Sequence, residues 1–181
     1  TLYPEIQLQI STGTTLQDLS KRDADIALRP ATHVPEHLIG KQLGVMGHAI
    51  YAAPQYHSSY PHQNWCQHQW VALDENMSPH RTLKWLAQYR QLESLELRAN
   101  NLSAVADACA AGIGLAILPC FLGDSHPGLR QCSGRLAECE NQLWLLSHPD
   151  LRHTARVKSI YQFLQQEMLA HATVLAGTDT H

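Results

Sequence analysis

Asn101-Leu102-Ser103-Ala104-Val105-Ala106-Asp107-Ala108-Cys109-Ala110-Ala111-Gly112-Ile113-Gly114-Leu115-Ala116-Ile117-Leu118-Pro119 is the stretch that decides the fold. Leu102, Val105, Ala106, Cys109 and Ala110 recur at the spacing of one helix face, and Asn100 and Asn101 stand ahead of them as polar caps. Gly112 falls where a helix wants a left-handed closing residue. Leu115 to Leu118 then reads as a buried strand stopped by Pro119. Just upstream, Leu95, Leu97 and Ala99 alternate as a strand does, so the segment predicts strand, helix, strand, the unit from which parallel sheets are built. Gly112-Ile113-Gly114 is half of a dinucleotide fingerprint, but the third glycine is absent and the pair closes a helix instead of opening one. The helix-cap reading is preferred, because glycine tolerates positive φ there.

Working outward, Trp70-Val71-Ala72-Leu73 reads as a strand and Ser78-Pro79 as a helix start, with Leu83, Leu86 and Ala87 as the buried stripe. Toward the N-terminus, Ile6, Leu8 and Ile10 alternate with glutamines as a first strand, and Thr14 or Thr15 caps a short helix through Leu16 and Leu19. Asp25-Ile26-Ala27-Leu28-Arg29 is a second, buried strand stopped by Pro30, which completes another parallel crossover. Residues 31–44 read as loop with one short strand, and 45–53 as an apolar run ending at Pro54. The polar stretch 56–69, rich in His, Gln, Tyr and Ser, is expected to link or wrap domains, so a boundary is placed near it. Beyond Leu143–Leu146, another strand, Val157, Ile160, Tyr161, Leu164 and Met168 mark an amphipathic helix that should pack on a sheet. From His171 onward a frayed tail is expected.

The 181 residues are 44% hydrophobic and 16% charged, a globular composition that length alone allows to be one domain or two small ones. No run approaches a membrane span. A net charge of -3 gives no basic surplus for a phosphate backbone, so these residues alone should bind DNA poorly. The chain opens without an initiator methionine or a signal-peptide pattern, so it is expected to begin mid-protein or after processing. Five cysteines at irregular spacing, with no C-x-x-C pair, read as reduced cytosolic thiols. His33, His37, His57, His62 and His68 invite a metal reading, but Pro35 interrupts the first pair, and neither metal nor cofactor is expected. No nucleophile elbow appears, and the scattered carboxylates Asp18, Asp23, Asp25, Asp74 and Glu75 read as surface and turn residues. Asn100-Asn101 at a helix start could hold an anion as well as cap. Ser11 and Thr12 lie in a polar turn at a strand's carboxyl end, where open α/β sheets place ligands.

In this order and spacing the pieces resemble the effector-binding domain of LysR-type transcription regulators. Tyr3-Pro4-Glu5-Ile6-x-Leu8 resembles that family's second strand, Ala24-Asp25-Ile26-Ala27-Leu28-Arg29 its third, and Tyr51-Ala52-Ala53-Pro54-Gln55-Tyr56 its crossover between subdomains. Asn101 through Pro119 resembles its most recognisable segment. Leu143-Trp144-Leu145-Leu146-x-His148-Pro149-Asp150-Leu151-Arg152, with Thr154, Arg156-Val157 and Phe163, resembles the return crossover and final helix of one branch.

The resemblance implies an α/β fold of two Rossmann-like subdomains joined by two crossover segments, as in type 2 periplasmic binding proteins. Residues 1–53 with 149–181 would form the first, and 54–148 the second. A small-molecule effector, polar or anionic, would lie in the cleft between them, against Ser11, Thr12, Arg29, Pro30, Asn100, Asn101 and Leu102. The resemblance also implies a cytoplasmic homodimer or tetramer that reaches DNA only through an N-terminal helix-turn-helix domain. That domain, a linker helix and the family's first strand and helix have no counterpart here. The first subdomain is therefore expected to be incomplete, and these residues alone to be destabilised or to pair edge to edge. A periplasmic solute-binding protein shares the two-lobed plan and is the rival reading; an enzyme is not expected.

Overall fold

The apolar run at Leu143–Leu146 becomes the central strand of a three-stranded sheet, with Leu143, Leu145 and Leu146 buried and Trp144 half-buried. The computed structural model describes residues 4–12, 24–31, 34–59, 64–75, 81–151 and 154–177. Its strands are β1 (Ile26–Pro30), β2 (Ile39–Met46), β3 (His48–Ala52), β4 (Val71–Leu73), β5 (Leu97–Ala99), β6 (Ala116–Pro119), β7 (Arg130–Gln131) and β8 (Asn141–Ser147). Helices are α1 (Pro54–Ser59), α2 (Arg81–Leu86), α3 (Leu102–Ala110), α4 (Cys120–Ser125), α5 (Ala155–Ala170) and α6 (Ala172–Ala176).

β8 lies between β1 and β2 and runs antiparallel to both. The parallel crossover expected between residues 6–10 and 25–29 is corrected at its first strand. β1 does form, but residues 6–12 carry no strand, and Leu8 and Ile10 are 64% and 80% exposed. Alternation yields a strand only where a neighbour pairs it and a layer covers its apolar side. The helix expected after Thr14 lies outside the described residues. A second correction concerns residues 31–44, which contain most of the eight-residue β2 instead of one short strand. Its glycines hid it. At Gly40 a Cβ would come within 2.9 Å of the Leu146 side chain, so glycine there marks close packing and not a turn. The ladder with β8 also slips between Gln42 and Gly44.

At Gly47 the chain leaves the β1-β8-β2 sheet and enters a second one, ordered β6-β3-β7. β3 is buried at every residue. Its alternate side chains serve two cores: Ile50 and Ala52 face a cluster with Trp70, Trp85, Leu86 and Leu115, and Ala49 and Tyr51 face one with Val105, Ala106, Cys109 and Leu118. β4 and β5 are parallel, as expected of the crossover through α2, and a parallel bridge from Trp70 to Leu115 joins them to the approach to β6. In α2 the buried residues are Leu83, Trp85 and Leu86, while Ala87 is exposed.

The polar stretch at 56–69 does more than link. Tyr56 and His68 are buried, the Tyr56 hydroxyl accepts from the Gln69 amide at 3.0 Å, and Trp65 lies edge-on to Trp70. Trp70 in turn donates its indole N–H to the Trp65 carbonyl at 3.0 Å. The amphipathic helix forms as α5 and packs on β2, with Val157 buried and the Tyr161 hydroxyl donating to the Leu145 carbonyl at 3.2 Å. The expected fraying from His171 is corrected for residues 171–177. α6 folds back on the crossover, the Gly47 amide donates to the Leu175 carbonyl at 3.0 Å, and a Cβ on Gly47 would overlap the Ala176 carbonyl. Gly177, at φ +76°, seats the chain against Cys120.

Candidate functional site

β4 and β5 end side by side, tied by a bond from the Asp74 amide to the Ala99 carbonyl at 2.8 Å, and α3 starts where β5 stops. Asn101 is extended, at φ -150° and ψ 155°, and its side-chain oxygen accepts from the Ala104 amide at 2.8 Å. Its side-chain nitrogen donates to the Asn100 side chain at 3.0 Å. The Val105 amide goes to the Asn101 carbonyl, as the first helical bond must. The amides of Leu102 and Ser103, in the first turn at the positive end of the helix, have no intrahelical acceptor to use and suit one from outside the helix. Gly112, at φ +83°, closes the same helix in the left-handed region.

The expected site residues occupy three separate elements. Asn100, Asn101 and Leu102 are brought together at the α3 start, the two asparagines exposed and Leu102 half-buried. Arg29 and Pro30 end β1 on the other sheet, opposite Trp144 and Leu143. Arg29 is half-buried, and its Nε is enclosed with no acceptor. Ser11 and Thr12 are exposed and lie in irregular chain. An open groove of about 480 Å³ along residues 87–93 contains none of these residues.

Two groups were missed by sequence reasoning. Trp144, read only as one letter of an apolar strand, has an enclosed indole N–H with no acceptor. His48 follows Gly47 directly, is 4% exposed, and has an enclosed, unpartnered Nδ1. Burial pushes its pKa down to about 4, against a smaller opposing effect from the Met46 backbone. A histidine inside an otherwise apolar strand was the available signal.

Among the described residues no three His, Cys, Asp or Glu side chains converge as a metal site, and His33 and His62 lie outside those residues. None of the five cysteines is in a disulfide. Burial raises Cys109 and Cys139 to about 12 and Cys132 to about 11, which disfavours the reactive thiolate. Tyr51 donates to Asp124 at 2.6 Å, and burial, reinforced by that bond, holds its hydroxyl protonated. Among the described residues no helix is long and apolar enough to cross a membrane.

Comparison with solved structures gives the same architecture. The chain is similar to the effector domain of the transcriptional regulator AmpR of Pseudomonas aeruginosa, at 16% identity and a TM-score of 0.74, covering 94% of this chain and 85% of that one. It is similar to the regulatory domain of CrgA, a LysR-type transcriptional regulator from Neisseria meningitidis, at 23% identity and a TM-score of 0.68, covering 87% and 81%. Full-length AphB, a Vibrio cholerae virulence activator, matches at 20% identity and a TM-score of 0.67, covering 95% of this chain and 60% of that one. These likenesses establish an α/β fold of the type 2 periplasmic-binding-protein kind. A curated HTH-type transcriptional regulator from Xanthomonas campestris pv. campestris is 34% identical over 82 residues, which is 43% of this chain. The match takes in 24% of that regulator, so it spans about a quarter of the curated relative's length. The family model described as LysR substrate binding domain matches residues 1–169. On that match across nearly its whole length, the chain belongs to the LysR substrate-binding domain family.

Proposed function

We propose that this chain is the effector-sensing and oligomerising domain of a LysR-type DNA-binding transcription regulator. The observation that carries the reading is the family match over residues 1–169, which favours it over a transport-linked solute-binding protein. In this reading residues 1–53 with 149–181 and residues 54–148 are two subdomains, and a polar or anionic small molecule lies between them. Ser11, Thr12, Arg29, Pro30, Asn100, Asn101 and Leu102 line that cleft. The amides at the start of α3 that the helix leaves unused support an anion, as does an Arg29 side chain with no carboxylate partner among the described residues. Ligand binding would work without chemistry: it stabilises one angle between subdomains over another and so shifts the arrangement of the DNA-reading heads. No catalysis is involved, and the protein works in the cytoplasm as a two-fold dimer or a tetramer.

The test is footprinting of the full-length regulator on the DNA upstream of its own gene, with and without small organic acids. A specific footprint that changes with ligand is expected. The double variant Arg29→Met, Asn101→Ala should keep the footprint and lose the change. A full-length protein that protects no specific site, or one exported from the cytoplasm, would falsify the reading.

A further inference from the structure

Arg29, Trp144 and Gln42 stand in one row across β1, β8 and β2, each directly opposite the next in the two ladders. Opposite residues of an antiparallel pair project from the same face, so the three side chains share one side of the sheet. Arg29 Nε and Trp144 Nε1 are both enclosed, and among the described residues neither side chain has a hydrogen-bond or ion-pair partner.

That pairing is unusual for a physical reason. Arginine and tryptophan nitrogens only donate, so the two cannot satisfy each other. Buried polar groups almost always find a partner, and an enclosed donor without an acceptor is destabilising. Two such donors on directly opposed residues of one sheet face need the same thing, an acceptor with lone pairs for both. Arg29 adds a positive charge that, among the described residues, has no carboxylate paired to it. The row reaches solvent at its β2 end, where Gln42 is exposed and its side-chain amide is bonded to Gln142. The slip in the ladder just after Gln42 is the kind of irregularity that re-aims side chains.

We propose that this row is a carboxylate-binding subsite, in which one carboxylate accepts from both Arg29 Nε and Trp144 Nε1 while Gln42 borders the ligand at the solvent edge. The proposal rests on the effector-domain reading and extends it, assigning recognition to Trp144 and Gln42 and naming the ligand class as a small organic acid. It also explains why Arg29 and Trp144 keep donors that the fold does not use: residues held for binding are often not the most stable choice at their positions.

The experiment is a nuclear magnetic resonance titration of the isotope-labelled chain with acetate, succinate and benzoate in turn. Trp144→Phe identifies the Trp144 indole signal among those of Trp65, Trp70 and Trp85. Saturable movement of that signal with at least one acid is expected, with affinity weakened by about tenfold or more in Arg29→Met and less in Arg29→Lys. Because Arg29→Met removes an unsatisfied donor, the melting temperature of the free chain should not fall. Movement of the Leu102 and Ser103 amides with a silent Trp144 indole overturns the subsite and leaves the α3 reading standing. Silence at both places with all three acids overturns both. A marked loss of stability in Arg29→Met makes the guanidinium a structural group and also overturns the subsite.

Discussion

Asn101 holds the start of α3 through one bond from Ala104 and is itself steadied by Asn100. Removing that cap should cost about 1 kcal/mol: Asn101→Ala is expected to lower the urea midpoint accordingly, while Asn101→Asp keeps it. An alanine variant as stable as the parent would mean that the cap bond carries no weight. His48 offers a second measurement. Its imidazole titrates at about 4 when folded, against an ordinary value of 6.5, so the unfolded chain takes up its proton first as pH falls. The stability gained by keeping the ring neutral is present in full above about pH 6.5 and is lost as pH drops toward 4, a difference on the order of 3 kcal/mol. Urea midpoints between pH 7 and pH 5 should therefore slope more steeply in the parent than in His48→Phe, and equal slopes would refute the assignment.

At the scale of elements, the segment from Asn101 to Pro119 was legible because its information is local: a cap, a period, a left-handed glycine and an apolar run. β2 was not, because Gly40 and Gly44 look like turn residues until Leu146 is seen lying against Gly40. The Ile6–Ile10 alternation misled in the opposite way, since a period says which face a strand would bury and not whether a partner exists. Of the site, the α3 start could be read from its asparagines. Trp144 could not, because its meaning comes from standing opposite Arg29, a pairing between residues far apart in the chain. α6 is the element most open to test. Gly47→Ala places a methyl group against the Ala176 carbonyl, and is expected to destabilise by about 2 kcal/mol and to speed hydrogen exchange at Gly47 and Leu175. Unchanged exchange would show that α6 does not bear on the crossover.

For the whole molecule, β3 is the strand on which cooperativity turns, because it divides its side chains between both core clusters. Opening one cluster exposes the other's wall. Cysteine reactivity can report this. Cys66 is exposed, whereas Cys109 lies in one cluster and Cys139 in the other. With iodoacetamide under native conditions Cys66 should label first, and Cys109 and Cys139 should label only at the rate of global unfolding, together and with the same denaturant dependence. Labelling of Cys109 well before Cys139 would show that the two clusters open separately.

The seating of Leu175 to Gly177 against Gly47 and Cys120 also bears on how the protein is handled at the bench. An affinity handle or fluorescent fusion joined directly after Gly177 would pull on the joint between the two sheets, not hang from a loose end. A reporter grafted there would double as a lever, straining the Gly47 contact that it was meant only to mark.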